Sequence, residues 1–196
     1  MTGLIILAII VGAVGYGIFL YNDLVSKRQL TSEGWSGIDV QLKRRTDLIP
    51  NLIETVKGYA RQEQDTLTAV TEARAKATSI QISADDLDDP QKMQQFQQAQ
   101  SQLTGALSRL MAVSERYPDL KSNQNFLALQ SQLEGTENRI AVARRDFIAA
   151  VQRYNTEIRT FPGRIWHTLM YSDMPIRENF EATAENADQA PKVQFQ

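Results

Sequence analysis

The sequence contains no cysteine, a single histidine (His167) and, before Asp23, no charged side chain. The missing cysteines exclude disulfides, thiol nucleophiles and cysteine-ligated metals, and say little about compartment. A lone histidine excludes the zinc motif H-E-x-x-H and the two Glu-x-x-His segments that a di-metal helical bundle needs. His167 lies beside Trp166 near a helix end and fits a surface or capping histidine better than a catalyst. No G-x-x-x-x-G-K-[ST] or G-x-G-x-x-G occurs, so no phosphate-cradling loop is written in the chain. A net charge of −2 provides no strong field to draw nucleic acid. Glycine and proline are sparse between residues 23 and 160, where Gln, Ala, Leu, Glu, Arg and Lys are frequent, which favours helix. No self-similarity at solenoid periods is present. The residues therefore predict neither a cofactor nor a small-molecule substrate nor an enzymatic activity.

What is present first is a 19-residue apolar run, Gly3 to Tyr21. A hydrocarbon core of about 30 Å takes about 20 helical residues, and helix is the form expected where lipid offers the backbone no partners. No basic residue precedes the run and no small-residue cleavage pair follows it, so it reads as a retained anchor and not as a cleaved signal. Tyr16 and Tyr21 suit an interfacial belt. The pairs Ala8/Gly12 and Ala13/Gly17 have helix-packing spacing, but small residues are common in membrane helices. Lys27 and Arg28 follow the span, with Lys43, Arg44 and Arg45 beyond. This predicts an outside N-terminus and a cytoplasmic main domain. Asp23 and Glu33 dilute that charge and leave the reverse orientation open.

The expected organisation is an anchor over residues 1–22, a soluble helical bundle over 23–171 and a polar, mobile tail over 172–196. The fold class is all-α: one N-terminal transmembrane helix, then an antiparallel bundle of three long helices plus a short C-terminal helix. The first soluble helix runs from Asp23 to about Ala77, with Ile38, Leu42, Ile49, Leu52, Ile53, Val56, Tyr59, Leu67 and Val70 at helical spacing. Pro50 falls inside it. The apolar phase continues across Pro50, which favours a kink; the alternative is a break that would make the bundle four-helical. Trp35, between Gly34 and Gly37, fits either the membrane surface or the core. SIQISADDLDDP (79–90) is a loop, with Asp89 and Pro90 as N-cap and first helical residue.

A second helix reaches about Arg116, with Phe96, Leu103, Leu110 and Tyr117 seven apart and Ala99, Ala106 and Val113 flanking them. Pro118 ends it. A third runs from about Ser122 to Thr160, with Phe126, Leu133, Ile140, Phe147, Tyr154 and Phe161 repeating every seven residues. Pro162–Gly163 closes it, and a short helix follows over about 164–170.

Two charged clusters stand out. The first holds Lys43, Arg44, Arg45, Asp47, Asn51, Glu54 and Lys57, with Asp47, Asn51 and Glu54 on one helical face. The second holds Glu134, Glu137, Asn138, Arg139, Arg144, Arg145 and Asp146. They read either as two facing polar networks forming a binding surface or as ordinary ion pairs on solvated faces, worth about 0.2–1 kcal/mol each. A less favoured reading makes carboxylates such as Asp47 and Glu54 a metal-binding or enzymatic site.

The stretch YNDLVSKRQLTSEGWSGIDVQLKRRTDLIPNLIETVKGYARQE resembles the signature of the LemA family of bacterial membrane proteins, as does RIAVARRDFIAAVQRYNTEIRTFPGRI. Trp35, Ile38 to Leu42, Asp47 to Leu52, Tyr59, Arg144–Arg145, Tyr154–Asn155 and Phe161–Pro162 carry the likeness, which covers about Tyr21 to Phe180. Family members often have a Gly-Phe pair where this chain has Met170–Tyr171, which bears on the local turn and not on the fold. The resemblance implies a single N-terminal span in a bacterial inner membrane and a soluble antiparallel helical bundle, and it supplies no enzymatic activity. Some members are encoded beside membrane metalloproteases similar to HtpX or beside TPM-domain proteins, which points to an accessory or scaffold role in the envelope. The combined expectation is a self-associating membrane-anchored scaffold whose partners are the lipid bilayer and copies of itself. The alternative is an adaptor or regulator of an envelope protease. Arg44, Arg45, Asp47, Asn51, Glu54, Arg144, Arg145, Tyr154 and Asn155 are the candidate interaction or polar-network residues.

Overall fold

The computed structural model describes residues 1–180. Its first helix, α1, spans Thr2–Tyr59 without interruption. No turn residue separates the apolar run from the bundle, so one rod leaves the membrane segment and becomes the first bundle helix. Its 58 residues extend about 87 Å at 1.5 Å each. Ile38, Leu42, Ile49, Leu52 and Val56 form its buried stripe, and Arg45 occupies a position in the same phase.

Pro50 does not break the helix. Proline has no amide to offer the carbonyl four residues back, here that of Thr46. The Arg74 side chain of the next helix donates its Nε–H to that oxygen at 2.9 Å. The break falls ten residues later, at 60–63, before α2 (Gln64–Ser79). The helix expected over 23–77 is therefore two helices, and the bundle has four long members instead of three. The turn Arg61–Glu63 contains no Gly or Pro, and Ala60 and Leu67 keep the seven-residue spacing, so no local signal marks it.

A 3-10 turn over Asp85–Asp88 leads into α3 (Pro90–Ser114). The Asp89 carboxylate accepts the amides of Gln91 and Lys92 at 2.9 and 3.1 Å, the cap expected from its position before Pro90. A single turn, α4 (Pro118–Lys121), precedes α5 (Gln124–Arg159), which Asn123 caps by accepting the Phe126 amide. Phe126, Leu133, Ile140, Phe147 and Tyr154 of the α5 repeat are buried. The sixth member, Phe161, lies past the end of α5 and is 82% exposed. The last helix, α6, spans Gly163–Met170. Six helices and no strands are present among the described residues.

α1 and α5 pair antiparallel along their length: Lys27 meets Glu157, Trp35 meets Phe147, Arg45 meets Glu137 and Tyr59 meets Asn123. Gly34 permits this closeness, since a Cβ there would stand 3.2 Å from the Phe147 Cα. α2 and α3 form the second tight pair, packed on the first. Trp35 belongs to the core: it is buried among Ile38, Phe96 and Phe147, and its indole N–H donates to the Ile82 carbonyl at 2.8 Å. The far end is filled by Leu52, Val56, Leu103, Leu110 and Phe126. The membrane-proximal end is filled by Leu24, Tyr154, Ile158, Tyr171 and Met174.

The expected mobile tail requires correction over its first part. Residues 172–180 form a strap across the bundle, with Met174 and Arg177 buried and Phe180 against Trp35. Their polarity hid this, because the strap is held by hydrogen bonds, by Phe180 against Trp35 and Phe147 and by Met174 in the membrane-proximal cluster, and not by a periodic apolar stripe. The rest of that expected tail, 181–196, lies outside the described residues.

Candidate functional site

The polar side chains that the sequence singles out fall into an interior set and an outer set. Arg45 leads the first. Its place in the α1 stripe forces it inward, and it is 1% exposed. An interior guanidinium needs partners. Nη1 donates to Thr104 Oγ1 at 3.2 Å and to Glu137 Oε1 at 3.0 Å, and Nη2 donates to Gln100 Oε1. Gln100 in turn donates to the Ala77 carbonyl. One side chain thus connects α1 to α3 and α5 and, through Gln100, to α2. Glu137 is 40% exposed, so this ion pair joins the interior to solvent.

Arg144 lies beside this group with its guanidinium 5.0 Å from the centre of the Phe180 ring, a cation–π arrangement. Burial, and then the like charge of Arg45, press Arg144 below the usual arginine range, with Glu137 opposing. The Nε atoms of Arg45 and Arg144 and Oε1 of Gln41 are buried without a hydrogen-bond partner. The site is cationic: two arginines share one half-exposed carboxylate.

The strap is fastened next to it. The Tyr154 hydroxyl donates to the Pro175 carbonyl at 2.9 Å. Asn155 grips Arg177 twice, donating to its carbonyl at 2.8 Å and accepting its amide at 3.0 Å. The Arg177 guanidinium donates to Thr31 and Ser32 of α1 at 2.5 and 3.1 Å and pairs with Asp88 at 3.6 Å. Arg28 approaches the same carboxylate at 3.7 Å. Burial nonetheless holds Asp88 above the usual carboxylate range, against both arginines. The Glu178 amide donates to the Leu87 carbonyl at 2.8 Å. Tyr154 and Asn155 therefore contact this chain's own C-terminal segment.

The remaining candidates stand outside. Arg44, Asp47, Asn51 and Glu54 are exposed on the outer side of α1, and Arg145 is exposed on α5. Among the described residues, Glu54 pairs only with Lys57, at 3.7 Å. The two sequence clusters meet at the Arg45–Glu137 pair and not as two facing networks. Gln100, Thr104, Thr31, Asp88 and Arg177 escaped sequence reasoning. Arg45 alone had a usable signal, an arginine in an apolar phase. Among the described residues, no group of three or more His, Cys, Asp or Glu side chains is close enough to share a metal ion.

Beside the arginines, α3 and α5 border a common hollow. Between them lies an open groove of about 730 Å³, lined by Leu107, Met111 and Leu133 and rimmed by Thr104, Glu134 and Glu137. Arg45 reaches its edge through Thr104 and Glu137. The groove offers apolar contact with a polar rim and no arrangement of nucleophile and base.

Among the described residues, one helix is long and apolar enough to cross a membrane, and it continues into a bundle of further helices. These features define a membrane-associated helical-bundle protein. Residues 34–195 match the LemA family, and the chain belongs to it. It is similar to magnetosome protein MamQ 2 of Paramagnetospirillum magneticum, 26% identical over 167 residues, 77% of this chain and 60% of that protein. It is similar to protein LemA of Metamycoplasma hominis, 25% identical over 152 residues, 76% of this chain and 65% of that protein. It is also similar to magnetosome protein MamQ of Magnetospirillum gryphiswaldense, 26% identical over 159 residues, 73% of this chain and 56% of that protein. The chain thus spans between 56% and 65% of the length of these relatives.

Proposed function

We propose that this chain is a membrane-anchored scaffold that assembles with copies of itself and performs no chemistry of its own. The observation that carries the reading is the solvent-open groove between α3 and α5, about 730 Å³. Leu107, Met111 and Leu133 give it an apolar floor, which a helix from a second copy would cover, and Glu134 and Glu137 give it a polar edge. The continuous α1 supports the same reading, because it couples the anchor to this surface with no hinge between them. The anchor lies in the bacterial cytoplasmic membrane with the bundle on the cytoplasmic side, the arrangement that Lys27 and Arg28 favour.

Light scattering of the full chain in detergent tests self-association. The expected result is an oligomer that Met111→Glu dissociates, with helical content unchanged by circular dichroism. A clean monomer at high concentration overturns it. Crosslinking in native membranes, read by mass spectrometry, identifies the neighbours. Recovery of an envelope protease in place of copies of this chain would replace the scaffold with an adaptor.

A further inference from the structure

The last helix carries an apolar edge that the bundle leaves uncovered. Phe161, Ile165 and Leu169 recur every four residues along α6 and its approach, and together with Met170 they are 82, 50, 73 and 68% exposed. The face next to that edge, which Trp166 and Met170 share, is fastened to protein. The Trp166 ring lies 3.0 Å from where a Cβ on Gly17 would stand, a tight approach that glycine accommodates without moving the ring. Tyr171, at the end of α6, packs against Tyr21 with ring centres 5.7 Å apart. Met174 gives its carbonyl to Nε2 of His167 at 2.9 Å.

These contacts fix a depth. Gly17 and Tyr21 both belong to the apolar run Gly3–Tyr21, and Gly17 lies one helical turn before its end. α6 is therefore held roughly 6 Å, four residues at 1.5 Å, inside the boundary of the anchor. We propose that α6 is an interfacial helix whose Phe161, Ile165, Leu169 and Met170 edge is seated in the lipid leaflet from which α1 emerges. Helices of this kind bury an apolar face roughly 5–10 Å into the boundary between headgroups and acyl chains, which matches the depth set by Gly17. Trp166, Tyr21 and Tyr171 suit that boundary, where one part of the ring is apolar and the other wet. Arg159 and Arg164 are exposed beside the edge, where cationic heads reach anionic headgroups while their stems stay along the apolar surface. Four side chains fall well short of the roughly 800 Å² that each partner presents in a standard protein interface, so lipid covers this edge more readily than a second copy. The anchor then has two points of attachment, and the second one fixes the tilt and rotation of the α1 rod.

This inference rests on the reading of Gly3–Tyr21 as a membrane span, and the test separates the two. The chain has no native cysteine, so single cysteines can be introduced one at a time in the full chain. Val11→Cys, Leu169→Cys and Val142→Cys place a nitroxide on the span, on α6 and on the exposed side of α5. Each labelled chain is reconstituted in phosphatidylcholine/phosphatidylglycerol vesicles, and its collisions with oxygen and with a water-soluble nickel chelate are measured. The expected result is oxygen-dominated relaxation at Val11 and Leu169 and chelate-dominated relaxation at Val142. A chelate-dominated signal at Leu169 beside a lipid signal at Val11 overturns the interfacial helix and leaves the span intact. A chelate-dominated signal at Val11 overturns the span reading itself. Shielding of Leu169 from both reagents, with dipolar broadening between labels, assigns the edge to a second copy and also overturns the proposal.

Discussion

Glu137→Ala and Arg45→Met, compared side by side, separate the two ways of breaking the interior ion pair. Glu137→Ala leaves the Arg45 guanidinium 1% exposed with only the neutral oxygens of Gln100 and Thr104 as partners. Stranding one charge of a buried pair costs about 3–5 kcal/mol. Glu137 is 40% exposed, so water already screens part of the interaction, and a loss nearer about 2–3 kcal/mol is expected. For a domain of this size that lowers Tm by about 4–12 °C. Arg45→Met removes the buried charge, keeps most of the volume and lets Glu137 turn to solvent. Replacing a whole buried ion pair by apolar residues is often neutral or stabilising by about 1–4 kcal/mol, and Arg45→Met comes close to that case because the remaining carboxylate reaches water. The orphaned Gln100 and Thr104 draw on that gain, so a change within about 1 kcal/mol is expected. The assay is thermal and urea unfolding of the full chain in detergent, followed by helical ellipticity and by the emission of its two tryptophans, of which Trp35 lies in the core. If Arg45→Met lost as much stability as Glu137→Ala, the pair itself, and not the stranding of a charge, would be what the bundle depends on, and the reasoning would fail.

Gly34→Ala puts a Cβ 3.2 Å from the Phe147 backbone and should cost about 1–3 kcal/mol in the same unfolding assay. Gly37→Ala, whose Cβ meets nothing within 4 Å, should instead gain about 0.5–1 kcal/mol from helix propensity. Equal effects at the two positions would refute the close α1–α5 approach. Asn155→Ala removes both hydrogen bonds to Arg177, so the Arg177 and Glu178 amides should exchange with deuterium much faster while α5 stays protected. Unchanged exchange would mean that Asn155 does not hold the strap. Asp86 is held far below the usual carboxylate range, first by Lys92 and then by Ser83. A depressed pKa stabilises the fold above the unfolded value of about 3.8 and loses that contribution as pH falls below it. Asp86→Asn should therefore flatten the acid limb of a stability–pH curve, and an identical limb would refute the assignment.

The parts legible in the sequence are those written locally. The length and polarity of Gly3–Tyr21, the seven-residue repeats of α3 and α5 and the cap at Asp89–Pro90 each depend on neighbours a few residues away. They therefore specified an anchor followed by an all-helical bundle. The candidate site was legible only in part. Arg45 shows as an arginine in an apolar phase, but Gln100, Thr104 and Glu137 surround it from two other helices.

Tertiary structure decided the rest. Whether α1 survives Pro50 depends on Arg74, on another helix, reaching the freed Thr46 carbonyl. Where α1 ends depends on how α2 turns back to pack on α3, since the Arg61–Glu63 turn has no breaker residue of its own. Residues 172–180 have no periodicity, and their order comes from Tyr154, Asn155, Thr31 and Trp35, each far away along the chain. Hydrophobic periodicity acts between residues one turn apart and is visible in any single helix. A buried polar group is satisfied by whichever donor or acceptor the folded chain brings to it, and only the packed bundle determines which that is.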